Sequence, residues 1–133
     1  MTEYKKYRMP RSLIDAEQRS EDHSQTFTIP DEKERYSVCI GDNAKIGVEL
    51  DGRGGERFWV MVERVVILHA RFLGKPVERV LRYEGVVDNA VFCAAYDAGL
   101  RCGSKISFEP KHVLDILTPE ECGEAHAALA ASK

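Results

Sequence analysis

Residues 57–68 read RFWVMVERVVIL, and this stretch decides the fold. It is dense in β-branched and aromatic side chains and apolar on both faces at a period of two, which predicts a central strand. Working outward, Ala44 to Leu50 places Ile46, Val48 and Leu50 on one face and Lys45, Gly47 and Glu49 on the other, the pattern of a half-buried strand. Asp51-Gly52-Arg53-Gly54-Gly55 is a turn cluster between the two. Downstream, Gly74-Lys75-Pro76 breaks the chain, Val77 to Val87 forms a further strand, and Asp88-Asn89 closes it with a turn.

The remainder punctuates itself. Ala90 to Leu100 reads as a short helix or an irregular crossover. Cys102-Gly103 turns into a strand over Lys105 to Glu109, and Pro110-Lys111 leads to a last short strand from His112 to Leu117. Thr118-Pro119-Glu120-Glu121 combines a capping threonine, proline at the first helical position and a following glutamate, so a helix runs from there to residue 133. At the other end, Ser12 is positioned to cap a helix over Leu13 to about Asp22, with Asp15 in the capping-box position. Asp31 to Tyr36 is one short charged helical turn.

The expected fold is therefore α+β: a small, strongly bent antiparallel sheet or SH3-like barrel of four to five strands, with N- and C-terminal helices. An open antiparallel sheet under one covering helix is the alternative. Residues 1–40 form an N-terminal arm whose short helices pack on the core, and residues 41–133 form the β-rich part with its C-terminal helix, within one structural domain.

Composition narrows the function classes. The 133 residues are 44% hydrophobic and 31% charged, which excludes a disordered chain and a helical membrane span. A net charge of -3 excludes both a strongly basic nucleic-acid coat and a strongly acidic nucleic-acid mimic. The opening Met1-Thr2-Glu3-Tyr4-Lys5-Lys6 lacks a secretion signal's apolar core, which makes the cytoplasm the expected location. Cys39, Cys93, Cys102 and Cys122 form no C-x-x-C pair, so four free thiols are expected rather than a metal site.

Three stretches carry a resemblance: GERFWVMV at 55–62, GVVDN at 85–89, and GSKISF at 103–108 followed by Val113-Leu114-Asp115-Ile116. Their order resembles the YegJ-like bacterial family, a domain of unknown function. Asp15-Ala16-Glu17, Thr26 to Pro30 and Gly41 to Lys45 are similar to a longer variant of that domain found on plasmids and integrative elements. The resemblance spans roughly residues 12–117 and departs at Ser104, where the family has Asp. Its motifs are turn glycines and core aromatics, so it implies a fold and no catalytic residues.

Candidate chemistry is sparse. Trp59 reads as a core or rim residue, or as an aromatic platform if its ring faces solvent. Asp88 and Asn89 read as an Asx turn or a polar binding site. His112 and Asp115 would share a face in a helix but are split by a strand. The most unusual feature is electrostatic: Arg64, Arg71, Lys75, Arg79 and Arg82 against Glu78 give residues 64–82 a net charge of +4. Its bland reading is a solvated strand face; its sharper one is a patch that grips phosphates or an acidic protein surface.

These features point to a non-catalytic macromolecule-binding protein without cofactor or metal. The expected role is an accessory or anti-defence factor of a bacterial mobile element that occludes a host protein or nucleic-acid complex. The expected partner is a protein, with nucleic acid as a second option through the basic patch, no membrane, and a possible homodimer. An immunity-type toxin inhibitor and a small hydrolase-like enzyme are the alternatives.

Overall fold

The computed structural model describes residues 7–50, 54–89 and 100–120. Five strands, β1 (Asn43–Leu50), β2 (Gly54–Phe72), β3 (Lys75–Val87), β4 (Lys105–Phe108) and β5 (Asp115–Leu117), form one sheet in the order β4-β3-β2-β1-β5. Every ladder is antiparallel. Two short helices, α1 (Ala16–Asp22) and α2 (Glu32–Arg35), precede the sheet, and a 3-10 turn at Pro110–His112 joins β4 to β5. This is a small α+β fold in which β4 and β5 stand at opposite edges, and no ladder joins them among the described residues.

The two-residue alternation sets the core. Ala44, Ile46 and Val48 of β1, Phe58, Val60 and Val62 of β2, and Tyr83 and Val87 of β3 lie on one face with Ile106 and Phe108 of β4. All are buried, and each large one contributes roughly 1.5–3 kcal/mol through the area it removes from water. The link from β4 to β5 crosses this face, burying Pro110, His112, Val113 and Leu114. The expected strand over residues 112–117 is thus shorter, because Pro110 starts a 3-10 turn that takes in His112.

The N-terminal segment protects the sheet's edges. Ser12 to Ile14 is extended rather than helical: Leu13 bridges Val48, the Ile14 N–H donates to the Gly47 carbonyl (2.8 Å), and the Glu49 N–H donates to the Ser12 carbonyl (2.9 Å). The helix therefore starts at Asp15, whose Oδ1 accepts the Gln18 N–H at 3.0 Å, and not at Ser12. Aspartate caps as well as serine does, and the extended form buries Leu13 and Ile14 against the sheet. Gly47 makes the room, since a Cβ there would lie 2.8 Å from Ile14 Cδ1. Arg8 sits beside β4 in the same way, its carbonyl accepting the Ser107 N–H at 2.8 Å. The charged turn at Asp31–Tyr36 is α2, capped by the Asp31 carboxylate on the Glu34 N–H.

β2 is the expected central strand, but it is 19 residues long while β1 has 8. The last β1 partner is Met61, and β4 reaches only from Tyr83 to Val86 on β3. Residues 64–72 and 75–82 therefore leave the sheet as a two-stranded ribbon, turned at Leu73-Gly74 with φ of 53° and 77°. Two positive φ values mark the tight hairpin turn that suits strand twist, which glycine adopts without strain. Register shifts at Val62/Arg64 and Val66/Ile67 bend the ribbon where it departs. Every residue from Ile67 to Arg79 is exposed, so the apolar run is buried on both faces nowhere along its outer half.

The turn at 102–103 is present, with Gly103 at φ 90°. Pro119 and Glu120 are helical, while the rest of the expected C-terminal helix, the 51–53 part of the first turn and the 90–99 crossover lie outside the described residues. No helix among the described residues is long and apolar enough to cross a membrane.

Tyr83 ties the N-terminal segment to the sheet. Its ring is fully buried, 5.5 Å from that of Phe108. Its hydroxyl donates to the Arg35 carbonyl at 2.7 Å and accepts the Val38 N–H at 3.3 Å. Burial pushes the phenol up to about 12. The native state therefore keeps this proton where the unfolded chain, near 10, has lost it, so stability falls as pH rises from 10 towards 12. The full effect is about 3 kcal/mol. Tyr83→Phe removes both hydrogen bonds and should cost about 1–3 kcal/mol in urea unfolding. The variant should also lose part of the wild type's decline in stability at alkaline pH; an unchanged profile would contradict this role.

Candidate functional site

The residues expected to form a site fall into two groups. Trp59, Asp88 and Asn89 cluster at one end of the sheet. The Trp59 N–H donates to Asn89 Oδ1 at 2.6 Å, and the Asp88 N–H donates to the Trp59 carbonyl at 2.8 Å. Asn89 thus fastens the end of β3 to β2. Trp59 is half-buried on the face opposite the core, opposite Lys45, whose Nζ lies 5.4 Å from the ring centroid. From Trp59 to Arg71 the strand runs about 40 Å, so this corner is separate from the cations at the ribbon's turn.

The five cations lie on the ribbon and at its root. At the root, Glu84 is buried and faces two of them, with Arg64 Nε at 3.5 Å and Arg82 Nε at 3.9 Å from its oxygens. Arg79 donates to the Tyr36 hydroxyl at 2.9 Å, and its guanidinium lies 5.4 Å from the centre of that ring. The hydrogen bond to Tyr36 raises the Arg79 pKa. Arg71 and Lys75 flank the turn, both exposed, and their side chains have no ion-pair or hydrogen-bond partner among the described residues. His69 and Glu78 face each other across the ribbon at 3.4 Å.

Sequence reasoning missed the apolar half of this surface. Leu68, Phe72, Leu73 and Val77 are 48, 69, 87 and 42% exposed. The available signal was length: an unbroken β pattern from Arg57 to Phe72, more than twice the span of the strand before it, leaves nothing to cover its end. Tyr36 was missed as well, because nothing local connects it to residue 79.

At the root of the ribbon a cavity of about 320 Å³ is lined by Tyr36, Leu68, Arg79, Val80, Leu81 and Pro110, together with Glu17, Glu109 and Lys111. A second polar cluster, also unforeseen, joins the N-terminal segment to the sheet. Glu63 Oε1 accepts from the Tyr7 hydroxyl (3.0 Å) and from Lys105 Nζ (2.6 Å). The lysine bond holds the Glu63 carboxyl below its ordinary range, and the same bond raises Lys105. Glu63 is the extra residue at the first register shift, which places its carboxylate there.

His112, the best candidate for acid–base work, is committed to structure. Its Nδ1 accepts the Glu109 N–H at 2.9 Å, and burial pushes the imidazole below its ordinary 6.5. Asp115 is exposed, its Oδ1 taking the Ile116 N–H at 2.8 Å. Among the described residues no three His, Cys, Asp or Glu side chains gather as a metal site. Cys39 and Cys102 are exposed free thiols, while Cys93 and Cys122 lie outside the described residues. No family model matches the chain, and no curated protein or solved structure does.

The His112 geometry has a pH consequence. Below 6.5 the unfolded imidazole takes a proton that the folded one refuses, so stability is lost as pH falls through and below that value. Urea midpoints between about pH 7 and pH 5 should fall more steeply for the wild type than for His112→Gln. Parallel slopes would contradict a buried neutral His112.

Proposed function

We propose that this chain is a non-catalytic macromolecule-binding protein whose docking element is the β2–β3 ribbon. The observation that carries the proposal is the ribbon itself: a projection exposed from Ile67 to Arg79, lying within the +4 stretch of residues 64–82 in a chain of net charge -3. A two-stranded hairpin is marginal in water by itself, so a ribbon of this length is a structural cost that contact with another molecule offsets. The commitment of His112 to the Glu109 N–H supports a binding role over an enzymatic one.

The body is proposed to be an SH3-like small barrel. The strand order, the pairing of β5 with β1 and the 3-10 turn before the last strand support it. Read together with the YegJ-like resemblance, this gives a cytoplasmic accessory or anti-defence factor of a bacterial mobile element, acting by occlusion. Occlusion requires surface complementarity and no reacting group. Of the two residue groups, the ribbon is assigned to the partner and the Trp59 corner to stability, since Trp59 and Asn89 are held by each other.

The test is a tagged chain recovered from bacterial lysate, with bound protein read by mass spectrometry and bound nucleic acid by absorbance. The wild type should retain a defined macromolecule, and replacing Arg71, Lys75 and Arg79 with glutamate should reduce it about tenfold or more. Equal retention by both would sink the docking reading.

A further inference from the structure

We infer that the ribbon face bearing Leu68, Ala70, Phe72 and Val77 receives an acidic, apolar segment of a partner protein. This rests on the docking reading above and names the partner's chemistry. Directly paired residues of an antiparallel ladder share a face, and successive residues alternate. The pairs Leu68–Arg79, Ala70–Val77 and Phe72–Lys75 therefore occupy one face, and Ile67–Val80, His69–Glu78 and Arg71–Pro76 the other. On the first face β2 supplies an apolar rail of Leu68, Ala70 and Phe72. Beside it β3 supplies Arg79, Val77 and Lys75, two cations with no carboxylate between them. The ribbon's one carboxylate in that span, Glu78, is on the opposite face against His69. The rail ends at the 320 Å³ cavity under Tyr36 and Leu68, a space the size of an anchoring side chain or two.

Side chains rather than backbone make this contact. Pro76 removes a backbone donor from β3, Arg71 and Lys75 flank the turn, and a register shift bends the ribbon at Val66/Ile67. These are features that discourage the addition of another strand. The charges decide between partner classes. Arg64 and Arg82 face Glu84, which leaves Arg71, Lys75 and Arg79, the last already bonded to the neutral Tyr36 hydroxyl, as the cations of the five without an ion pair among the described residues. Three such cations release too few counterions to hold a duplex at physiological salt. An exposed apolar face needs apolar cover, and Lys75 and Arg79 beside it favour carboxylates on whatever covers it. A second copy would lay this cationic rail against its own kind.

The experiment is selection of a displayed random library, peptides of about 15 residues, against the full chain and against L68S/F72S. Peptides rich in Asp and Glu beside Leu, Ile or Phe should be enriched about tenfold or more on the wild type over the variant. Unchanged near-ultraviolet dichroism would confirm that the variant keeps its core. Enrichment that is absent, basic, or equal on both proteins overturns the inference. Duplex DNA binding at about 150 mM salt that the variant K75E abolishes also overturns it, in favour of nucleic acid. So does a concentration-dependent dimer that L68S/F72S dissociates, in favour of a second copy. If peptide selection fails while the triple glutamate variant still releases its macromolecule, this inference falls and the docking reading stands.

Discussion

A mismatch of length governs this molecule. β2 has 19 residues, and the strand that precedes it has 8. Hydrogen bonding along a sheet can be satisfied only where strands overlap, so β1 can accompany the first part of β2 alone. β3 follows β2 out to the turn because the two share a hairpin, while β4 and β5, with 4 and 3 residues, serve only the root. The division between a packed body and a bare ribbon follows directly. So does the position of the core, which lies where five strands overlap and ends where two remain.

The body compensates for its small sheet with the N-terminal segment. Ser12 to Ile14 lies along β1, Arg8 along β4, and the Tyr83 hydroxyl binds the backbone at Arg35 and Val38. These contacts cover the two edges that would otherwise invite another chain. Among the described residues the ribbon has no such cover, and instead it carries charge, proline and irregular register. One molecule thus handles its edges in two ways: by pairing them in the body and by making them unattractive in the ribbon, which leaves the ribbon's face as its approachable surface.

Much of the body was legible in the sequence, because period-two alternation in 44–50 and the β-rich run after Arg57 are local signals of burial. The charged turn of α2 and the positive-φ turn at Gly103 were legible for the same reason. The errors were of another kind. Ser12 is a competent cap, yet the helix begins at Asp15 because burial of Leu13 and Ile14 is a tertiary gain that no local rule contains. The His112 strand became a 3-10 turn because the chain must cross from one edge of the sheet to the other there.

The site was half legible. The five cations stood out as a charge cluster, but their division into three partnered side chains and two free ones depends on Glu84 and Tyr36. The apolar rail was hidden in plain view, since Leu68 ends the run that reads as buried core and Phe72 lies just beyond it. Amide hydrogen exchange on the free protein tests the division between body and ribbon most directly. Amides of residues 67–79 should exchange about tenfold or more faster than those of Ile46, Phe58, Val60 and Tyr83 in the body. Equal protection along the whole of β2 would contradict a projecting ribbon, and with it the docking surface.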